Sequence, residues 1–196
     1  MHQSRALLLR RYRLSETSLI IVWLTEEHGK VKTTAQGALK QGSAFTGRLE
    51  LFSEAEIYFS LNKKSDLHFL KEVVPMLLPQ RLNTSYQTLL CASYFAELCD
   101  LFTETLHPVP EIFGLLRRAF HFLSRESPSH RVLEHFEITL AKALGIYDPR
   151  IPVEHSLRVV VSHLPPNRKT LLSCFTDKNV KSVIAHPLLA KSKSSC

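Results

Sequence analysis

The sequence has few cysteines, and their spacing excludes the common metal and disulfide frameworks. The four cysteines, at positions 91, 99, 174 and 196, form neither a zinc ribbon, nor a thioredoxin-type pair, nor a secreted disulfide pattern. Reduced and mostly buried thiols are therefore expected. The ten histidines are scattered, and the closest pair, His130 and His135, is five residues apart rather than the i, i+4 spacing of a helical zinc motif. We expect no metal site and no cofactor.

Signatures of catalysis and of membrane insertion are also missing. The sequence contains no Walker A or GxGxxG loop, no GxSxG nucleophile elbow and no HExxH pair. No apolar run approaches the roughly 18 residues of a membrane span, and arginines interrupt the apolar run near the N-terminus, so no secretory signal is predicted. We expect a cytoplasmic protein that is not an enzyme, has no small-molecule substrate and makes no membrane contact.

Positive charge is concentrated towards the two ends of the chain. The formal net charge is +7, divided as +3, −1 and +5 over residues 1–75, 76–150 and 151–196, and residues 1–48 hold eight basic and three acidic side chains. Two basic regions around a near-neutral centre fit a polyanionic partner touched at two places, because each neutralised phosphate releases counterions. Solubility explains the charge equally well on its own.

The N-terminal part has the period-2 alternation of β-strands. Five strands are predicted, at 4–14, 17–25, 30–37, 49–61 and 66–74, with a loop at 38–48. A small five-stranded barrel of the OB type follows from this order, and an SH3-like barrel is the alternative. In strand one, the alternation places Leu7, Leu9, Arg11 and Arg13 on one side and Ala6, Leu8, Arg10 and Tyr12 on the other. In strand three, it places Val31, Thr33 and Ala35 inside and Lys30, Lys32, Thr34 and Gln36 in solvent. In strand four, it places Leu51, Ala55, Ile57 and Phe59 opposite Glu50, Glu54, Glu56 and Tyr58.

After Pro75 and Pro79 the spacing of apolar residues becomes helical. Amphipathic helices are predicted at 84–105 and 110–123, and a third helix, capped by Ser127 with Pro128 as its first residue, ends at Gly145. Residues 157–161 fit a strand or a helix. Short helices are predicted at 167–175 and 177–185, the second capped by Asp177. The class is therefore α+β, with a barrel domain at 1–76, a helical bundle domain at 77–190 and a disordered tail at 191–196.

The candidate site is a nucleic-acid-binding face of the barrel. OB barrels bind single strands across strands two and three, with cations on the phosphates and aromatic rings stacked on bases. Trp23 lies in an apolar run and is expected in the core, whereas Phe45 lies in a Gly/Ser loop and fits either role. Arg117 and Arg118, beside Phe113 and Phe122, could dock an acidic peptide with a hydrophobic end, although an exposed helix face with arginines also explains them. The predicted DNA-binding residues are Lys30, Lys32, Lys40, Arg48, Arg10, Arg11, Arg13 and Phe45.

Several short motifs occur in an order that resembles the bacterial RecO family of DNA recombination and repair mediators. They are ETS after the first strand, LT..HGK at the next turn, A.GA, S.F...LELF, the Y..EL helix and the F...L...LG.Y.P helix end, all within residues 6–149. The resemblance implies an N-terminal OB fold and a helical C-terminal domain. It also implies binding of single- and double-stranded DNA at the nucleoid, annealing of complementary strands, and partnership with RecR and the single-strand-binding protein to load RecA.

The chain departs from that family after the YDP motif. Many members carry a four-cysteine zinc module there, whereas this chain reads RIPVEHSLRVVV, without a cysteine. Packing must then hold this region. Two other functions remain open from the residues: a protein-interaction adaptor whose DNA contact is incidental, and a barrel that binds single-stranded RNA.

Overall fold

The computed structural model describes residues 1–77 and 85–184. The first range forms a closed barrel with the strand order β1-β2-β3-β5-β4, in which β3 and β5 are parallel and the other neighbours antiparallel. This is the OB arrangement, so the predicted fold is confirmed and the SH3-like alternative is wrong. The strands are β1 (His2–Arg13), β2 (Leu19–Thr25), β3 (Gly29–Ala35), β4 (Glu54–Ser60) and β5 (Leu67–Leu77).

Alternating apolar residues fill the barrel, as the period-2 pattern predicts. Trp23 is fully buried among Leu8, Val31 and Ile57, and its indole N–H donates a 2.9 Å hydrogen bond to the Thr33 hydroxyl. A buried indole needs such a partner because leaving its donor unpaired would cost free energy. Trp23 is therefore a core residue, as expected.

A β-bulge at Leu9 changes which side chains of β1 share a face. Leu8 pairs with Trp23 and Arg10 with Val22, so Leu9 has no partner of its own in β2. The extra residue reverses the alternation. Arg10 consequently shares the outer face with Leu7, and the predicted grouping of Arg10 with Leu8 is wrong.

Two strand boundaries differ from the sequence pattern for identifiable reasons. β4 begins at Glu54 because the chain turns at Phe52, whose φ is +65°. β5 continues through Pro75 to Leu77, where the register with β4 shifts between Glu54 and Ala55. Proline is tolerated at such an irregularity because no ladder hydrogen bond is needed from its nitrogen.

The helices follow the barrel with short connections. The third begins after an N-cap at Ser129, whose hydroxyl accepts from the Val132 N–H, rather than at the predicted Ser127. Gly145 adopts a φ of +69° just beyond that helix, as predicted for its C-terminal stop. The fifth helix is continuous, so the predicted break at Asp177 is wrong. The bounds are α1 (Tyr86–Phe102), α2 (Pro110–Leu123), α3 (His130–Ala143), α4 (Val153–Arg158) and α5 (Asn167–Ile184).

The remaining predictions concern the segment at 157–161 and residues outside the described ranges. Helix α4 shows that the ambiguous segment at 157–161 begins inside a helix. The predictions for Pro79, for Thr84, for Ala185 and for the tail at 191–196 lie outside the described residues. None of the described helices is long and apolar enough to cross a membrane.

The helical part packs on the outer face of β1 and β2. Leu7, Leu9, Val22 and Leu24 of the barrel belong to one buried cluster with apolar residues of α1 and α2. This explains why β2 is apolar on both faces, since one face fills the barrel and the other is covered by helices. The contact fixes the C-terminal end of α1 beside the basic end of β1.

An ion network holds α4 and α5 after Pro149, the segment in which the RecO resemblance implies a zinc module for many members. Arg168 of α5 donates to both carboxylate oxygens of Glu137, at 2.7 and 3.0 Å, and to Glu154 at 2.6 Å. The Tyr94 hydroxyl donates to Glu137 as well, and burial is the main cause that raises the pKa of Tyr94. No cysteine lies in that region and the described residues contain no group of three or more potential ligands placed to hold a metal, so they do not fit a zinc centre.

The three cysteines within the described residues carry free thiols. Cys91 and Cys99 are buried in the helical core, and burial raises the pKa of the Cys91 thiol to about 12. Such thiols stay protonated at neutral pH and act as packing groups.

Candidate nucleic-acid interface

A groove runs across the outer face of β1, β2 and β3 where α1 ends, and we call it the outer groove. It has a volume of about 560 Å³. Strand pairing aligns Arg10 with Val22 and Val22 with Lys32, which places the two cations in one row on either side of the apolar Val22. The residues that line the outer groove are Arg10, Tyr12, Ile20, Val22, Lys30, Lys32, Asp100 and Leu101.

The lysines of the outer groove differ in solvent exposure and in ion pairing. Lys32 is exposed and takes part in none of the ion pairs among the described residues. Lys30 is only 14% exposed, because its ammonium group lies 3.1 Å from a carboxylate oxygen of Asp100 and donates to the Asp100 carbonyl at 2.6 Å. The expectation that Lys30 would lie on a fully solvated face is therefore wrong, since α1 covers it.

Tyr12 is the aromatic group of this groove. Its side chain is 47% exposed, and its hydroxyl accepts a 3.4 Å hydrogen bond from Arg10. The bulge at Leu9 brings Tyr12 onto the same face as Lys32. An exposed ring beside cations is the combination that single-strand-binding barrels use to stack a base while phosphates are neutralised.

A second groove lies at the mouth of the barrel, and we call it the loop groove. Turns closed by hydrogen bonds between residues three apart, such as Lys40 N–H to Gly37 C=O at 3.0 Å and Arg48 N–H to Phe45 C=O at 3.0 Å, shape its wall. Arg11 lies in it and donates to the Leu49 carbonyl at 3.0 Å. Lys40 is exposed, and Phe45 is half-buried against the barrel core.

The remaining predicted cations lie apart from these grooves. Arg13 is exposed and donates to the carbonyls of Ser15 and Glu16 in the β1–β2 turn. Arg48 is exposed, and its guanidinium donates to the Val73 carbonyl of β5 at 3.1 Å. The structure thus divides the predicted cations among the outer groove, the loop groove and two separate positions.

The predicted partner-binding pair, Arg117 and Arg118, is also divided. Arg117 donates a 2.8 Å hydrogen bond to Glu54 of β4, a carboxylate that is 3% exposed and also lies 3.0 Å from His121. Arg5 of β1 approaches the same carboxylate at 3.5 Å. Arg117 is thus part of the barrel–helix contact, in which α2 covers Glu54.

Arg118, by contrast, borders an apolar pocket between α2 and α3 with a volume of about 420 Å³. Phe122 and Phe136 form part of its wall, and Arg131 and His135 lie beside Arg118 on its lining. Sequence reasoning missed Arg131 and His135 because residues on different helices meet there only after folding. Like Arg118, Arg131 and His135 each place a basic group next to apolar side chains.

Asp100 was missed as well, although the sequence carries a signal for it. It lies in the last turn of α1, where the helix dipole disfavours a negative charge and where no basic side chain is present. A negative charge at such an unfavourable position indicates that groups elsewhere in the fold stabilise it. The compensation comes from Arg10 and Lys30 of the barrel.

Comparison with known proteins supports the same division of the chain. The family model for the N-terminal part of recombination protein O matches residues 1–77, and the model for its C-terminal part matches residues 83–148. A DNA repair protein RecO of Syntrophus aciditrophicus is 29% identical over 150 residues, which cover 76% of this chain and 58% of the relative. Those of Salinibacter ruber and Coxiella burnetii are 28% and 34% identical, covering 74% and 71% of this chain and 56% and 50% of the relatives.

The chain therefore spans between half and three fifths of the length of these relatives. The two family models nevertheless cover most of its residues in the order that the family has, on an OB barrel followed by helices. From these matches and this fold, the chain belongs to the RecO family.

Proposed function

We propose that this chain is a non-enzymatic mediator of DNA repair and homologous recombination. It binds single- and double-stranded DNA, anneals complementary strands and, with RecR, helps to load RecA onto DNA coated by the single-strand-binding protein. Membership of the RecO family supports the repair role, and relatives that match the chain bear the name DNA repair protein. The action would take place in the cytoplasm, at the nucleoid.

The observation that carries the DNA-binding part is the outer groove. Lys32 and Tyr12 are exposed beside Arg10 and Lys30, which supplies cations for phosphates and a ring for a base. The loop groove adds a second basic surface, with Arg11 and Lys40 beside Phe45. Cationic side chains that contact phosphates favour binding with little sequence preference, because the phosphates are the same in every DNA sequence. Annealing of any complementary pair requires such binding.

A salt series tests the DNA-binding surface. We expect Lys32→Glu with Lys40→Glu to weaken binding of labelled single-stranded DNA at least tenfold. In a plot of log affinity against log salt, the slope should fall by about 1.4, since each single-strand phosphate contact contributes about 0.7. The matched control is Lys63→Glu with Lys64→Glu in the exposed β4–β5 turn, which makes the same charge change elsewhere on the barrel. Equal losses in both variants would show that net charge, rather than this surface, governs binding.

The apolar pocket favours a protein contact in addition. Arg118, Arg131 and His135 beside Phe122 suit an acidic peptide with a hydrophobic end, and we propose that the single-strand-binding protein supplies it. Arg118→Glu with Arg131→Glu should abolish stimulation of annealing on coated DNA while annealing of bare DNA persists. If the chain is instead an adaptor with incidental DNA contact, the unmodified protein will bind DNA weakly and anneal neither substrate.

An RNA-binding role is separated by a direct comparison. Affinities for single-stranded DNA and for RNA of the same sequence are measured in parallel at one salt concentration. The proposed function predicts annealing of DNA strands, faster on coated DNA when RecR is added. Preference for RNA without DNA annealing would support the RNA-binding barrel instead.

A further inference from the structure

Asp100 lines the outer groove. Of the described residues that line this groove, it is the acidic one. Its two carboxylate oxygens lie 3.0 Å from the Arg10 Nε and 3.1 Å from the Lys30 Nζ. A carboxylate between two cations takes the place that a phosphate group would take when a nucleic-acid strand lies in the groove.

The pairing with Arg10 is incomplete. Although Arg10 Nε lies 3.0 Å from Asp100, its N–H is not aligned with that oxygen and donates no hydrogen bond among the described residues. A buried donor without an acceptor is costly. Asp100 therefore leaves the guanidinium of Arg10 incompletely hydrogen-bonded. Although Nε itself is buried, the Arg10 side chain is 37% exposed, so a phosphate can approach the guanidinium from the groove.

The position of Asp100 is fixed by packing that does not involve the groove. Its neighbours Leu98 and Cys99 are fully buried in the cluster that joins α1 to Leu7 and Leu9 of β1. The Thr103 hydroxyl donates to the Cys99 carbonyl at 2.6 Å and closes the end of the helix. This packing holds the backbone of Asp100 beside Arg10 and Lys30 independently of any contact in the groove.

We propose that Asp100 is an intramolecular competitor for the DNA backbone. It neutralises Arg10 and Lys30 in the free protein, and an incoming phosphate must share these cations with a carboxylate that α1 carries beside them. Binding in the groove is thereby weakened and made readily reversible, as a mediator that must release both annealed strands requires. The inference rests on the proposed DNA-binding function and adds a control on the strength of that same site.

Asp100→Asn tests the competition, because it removes the charge and keeps the shape. We expect labelled single-stranded DNA to bind about three to ten times more tightly at low salt. The salt slope should steepen by about 0.7 to 1.4, as one or two further phosphates are neutralised. Release from DNA should slow by a similar factor. Glu104→Gln is the matched control, since Glu104 is exposed two residues beyond α1 and gives the same change in net charge.

Unchanged or weaker binding by Asp100→Asn, relative to Glu104→Gln, overturns the proposal and makes Asp100 a positioning residue or a structural one. Asp100→Ser serves as a second variant, and thermal melting confirms that the tested variants are folded. Lys32→Glu distinguishes failure of the competition by Asp100 from failure of the outer groove as the DNA-binding surface. If it weakens binding while Asp100→Asn does not strengthen it, only the competition is wrong. If neither variant alters DNA binding, the outer groove is not the DNA surface and both proposals fail.

Discussion

Gly29 and His107 are in direct backbone contact. A methyl group at Gly29 would lie 1.9 Å from the His107 carbonyl oxygen, and Gly29 also has a φ of +66°. The next residue continues the contact, because the Leu106 N–H donates to the Lys30 carbonyl at 2.9 Å. The HGK motif at the β2–β3 turn thus has a physical meaning, since only glycine lets this turn meet the segment after α1.

Gly29→Ala should destabilise the protein by about 2–4 kcal/mol, from left-handed backbone strain together with overpacking against His107. Chemical denaturation measures the change in the free energy of unfolding. Gly42→Ala is the control, because Gly42 has a φ of +72° and open space where a methyl would lie. It should show the backbone strain alone, about 1–2 kcal/mol. Equal losses in the two variants would contradict the proposed close contact.

Glu54→Gln should loosen the contact between the barrel and α2. The substitution removes the buried charge that Arg5, Arg117 and His121 share. The expected loss is about 1–3 kcal/mol, limited because the basic partners are partly exposed to solvent. Glu56→Gln on the same strand is the comparison, since Glu56 is only half-buried and pairs with Gln3 and Tyr58 inside the barrel domain. A larger loss for Glu56→Gln would show that the shared carboxylate does not support the interface.

Arg168→Met tests the ion network that holds α5 against α3. Without Arg168, the Glu137 carboxylate, which is 1% exposed, would keep only the Tyr94 hydroxyl as a partner among the described residues. Breaking a buried pair by removing one member costs about 3–5 kcal/mol. Glu154→Gln weakens a more exposed arm of the network and should cost less than about 1 kcal/mol. Thermal and denaturant unfolding should rank the two variants in this order, and the reverse order would refute the assignment.

Much of the fold could be predicted from the sequence because the strands obey simple alternation. Ile57 and Phe59 point into the barrel as their spacing requires. The bulge at Leu9 could not be predicted, since a single extra residue leaves no mark in an apolar run. Pro75 gave a false signal, because the predicted strand ended before it whereas β5 continues to Leu77. The proline lies at a register shift, where a strand tolerates it.

The site was predicted less completely than the fold. The sequence indicates that Lys30 and Lys32 neighbour each other on a strand, but not that α1 places Asp100 beside Lys30. Arg117 resembled a surface cation for the same reason, since the Glu54 that holds it is distant in sequence. Side-chain pairs formed between domains depend on packing, and composition and spacing carry no record of them.

Stability should fall as the pH drops below about 6.5, in part through His68. Burial lowers the pKa of His68, whose Nδ1 accepts a hydrogen bond from the Asn62 N–H at 3.1 Å. Asp66 opposes that shift and His2 adds to it. Above the unfolded-state pKa both states are neutral, so the stability from His68 is fully present. Below it the unfolded chain takes up a proton first, and the free energy of unfolding decreases until His68 titrates in the folded state.

His68→Asn keeps an acceptor for Asn62 but removes the titrating ring. Denaturation between pH 7.5 and 5 should therefore show a shallower decline for the variant than for the unmodified protein. His163→Asn makes the same substitution at an exposed position and is the matched control. Parallel pH profiles for His68→Asn and the unmodified protein would mean that His68 titrates alike in the folded and unfolded states.

Tyr12→Ala should weaken binding of single-stranded DNA without altering its salt dependence. A base stacked on an aromatic ring contributes about 1–3 kcal/mol, and removal of an uncharged ring releases no counterions. Tyr86→Ala is the matched control, because Tyr86 is exposed on α1 and lies outside both grooves. Anisotropy titrations at several salt concentrations give the affinity and the slope together. A parallel shift to weaker binding supports stacking in the outer groove. A changed slope would instead mean that Tyr12 acts by orienting the Arg10 guanidinium, which donates a hydrogen bond to its hydroxyl.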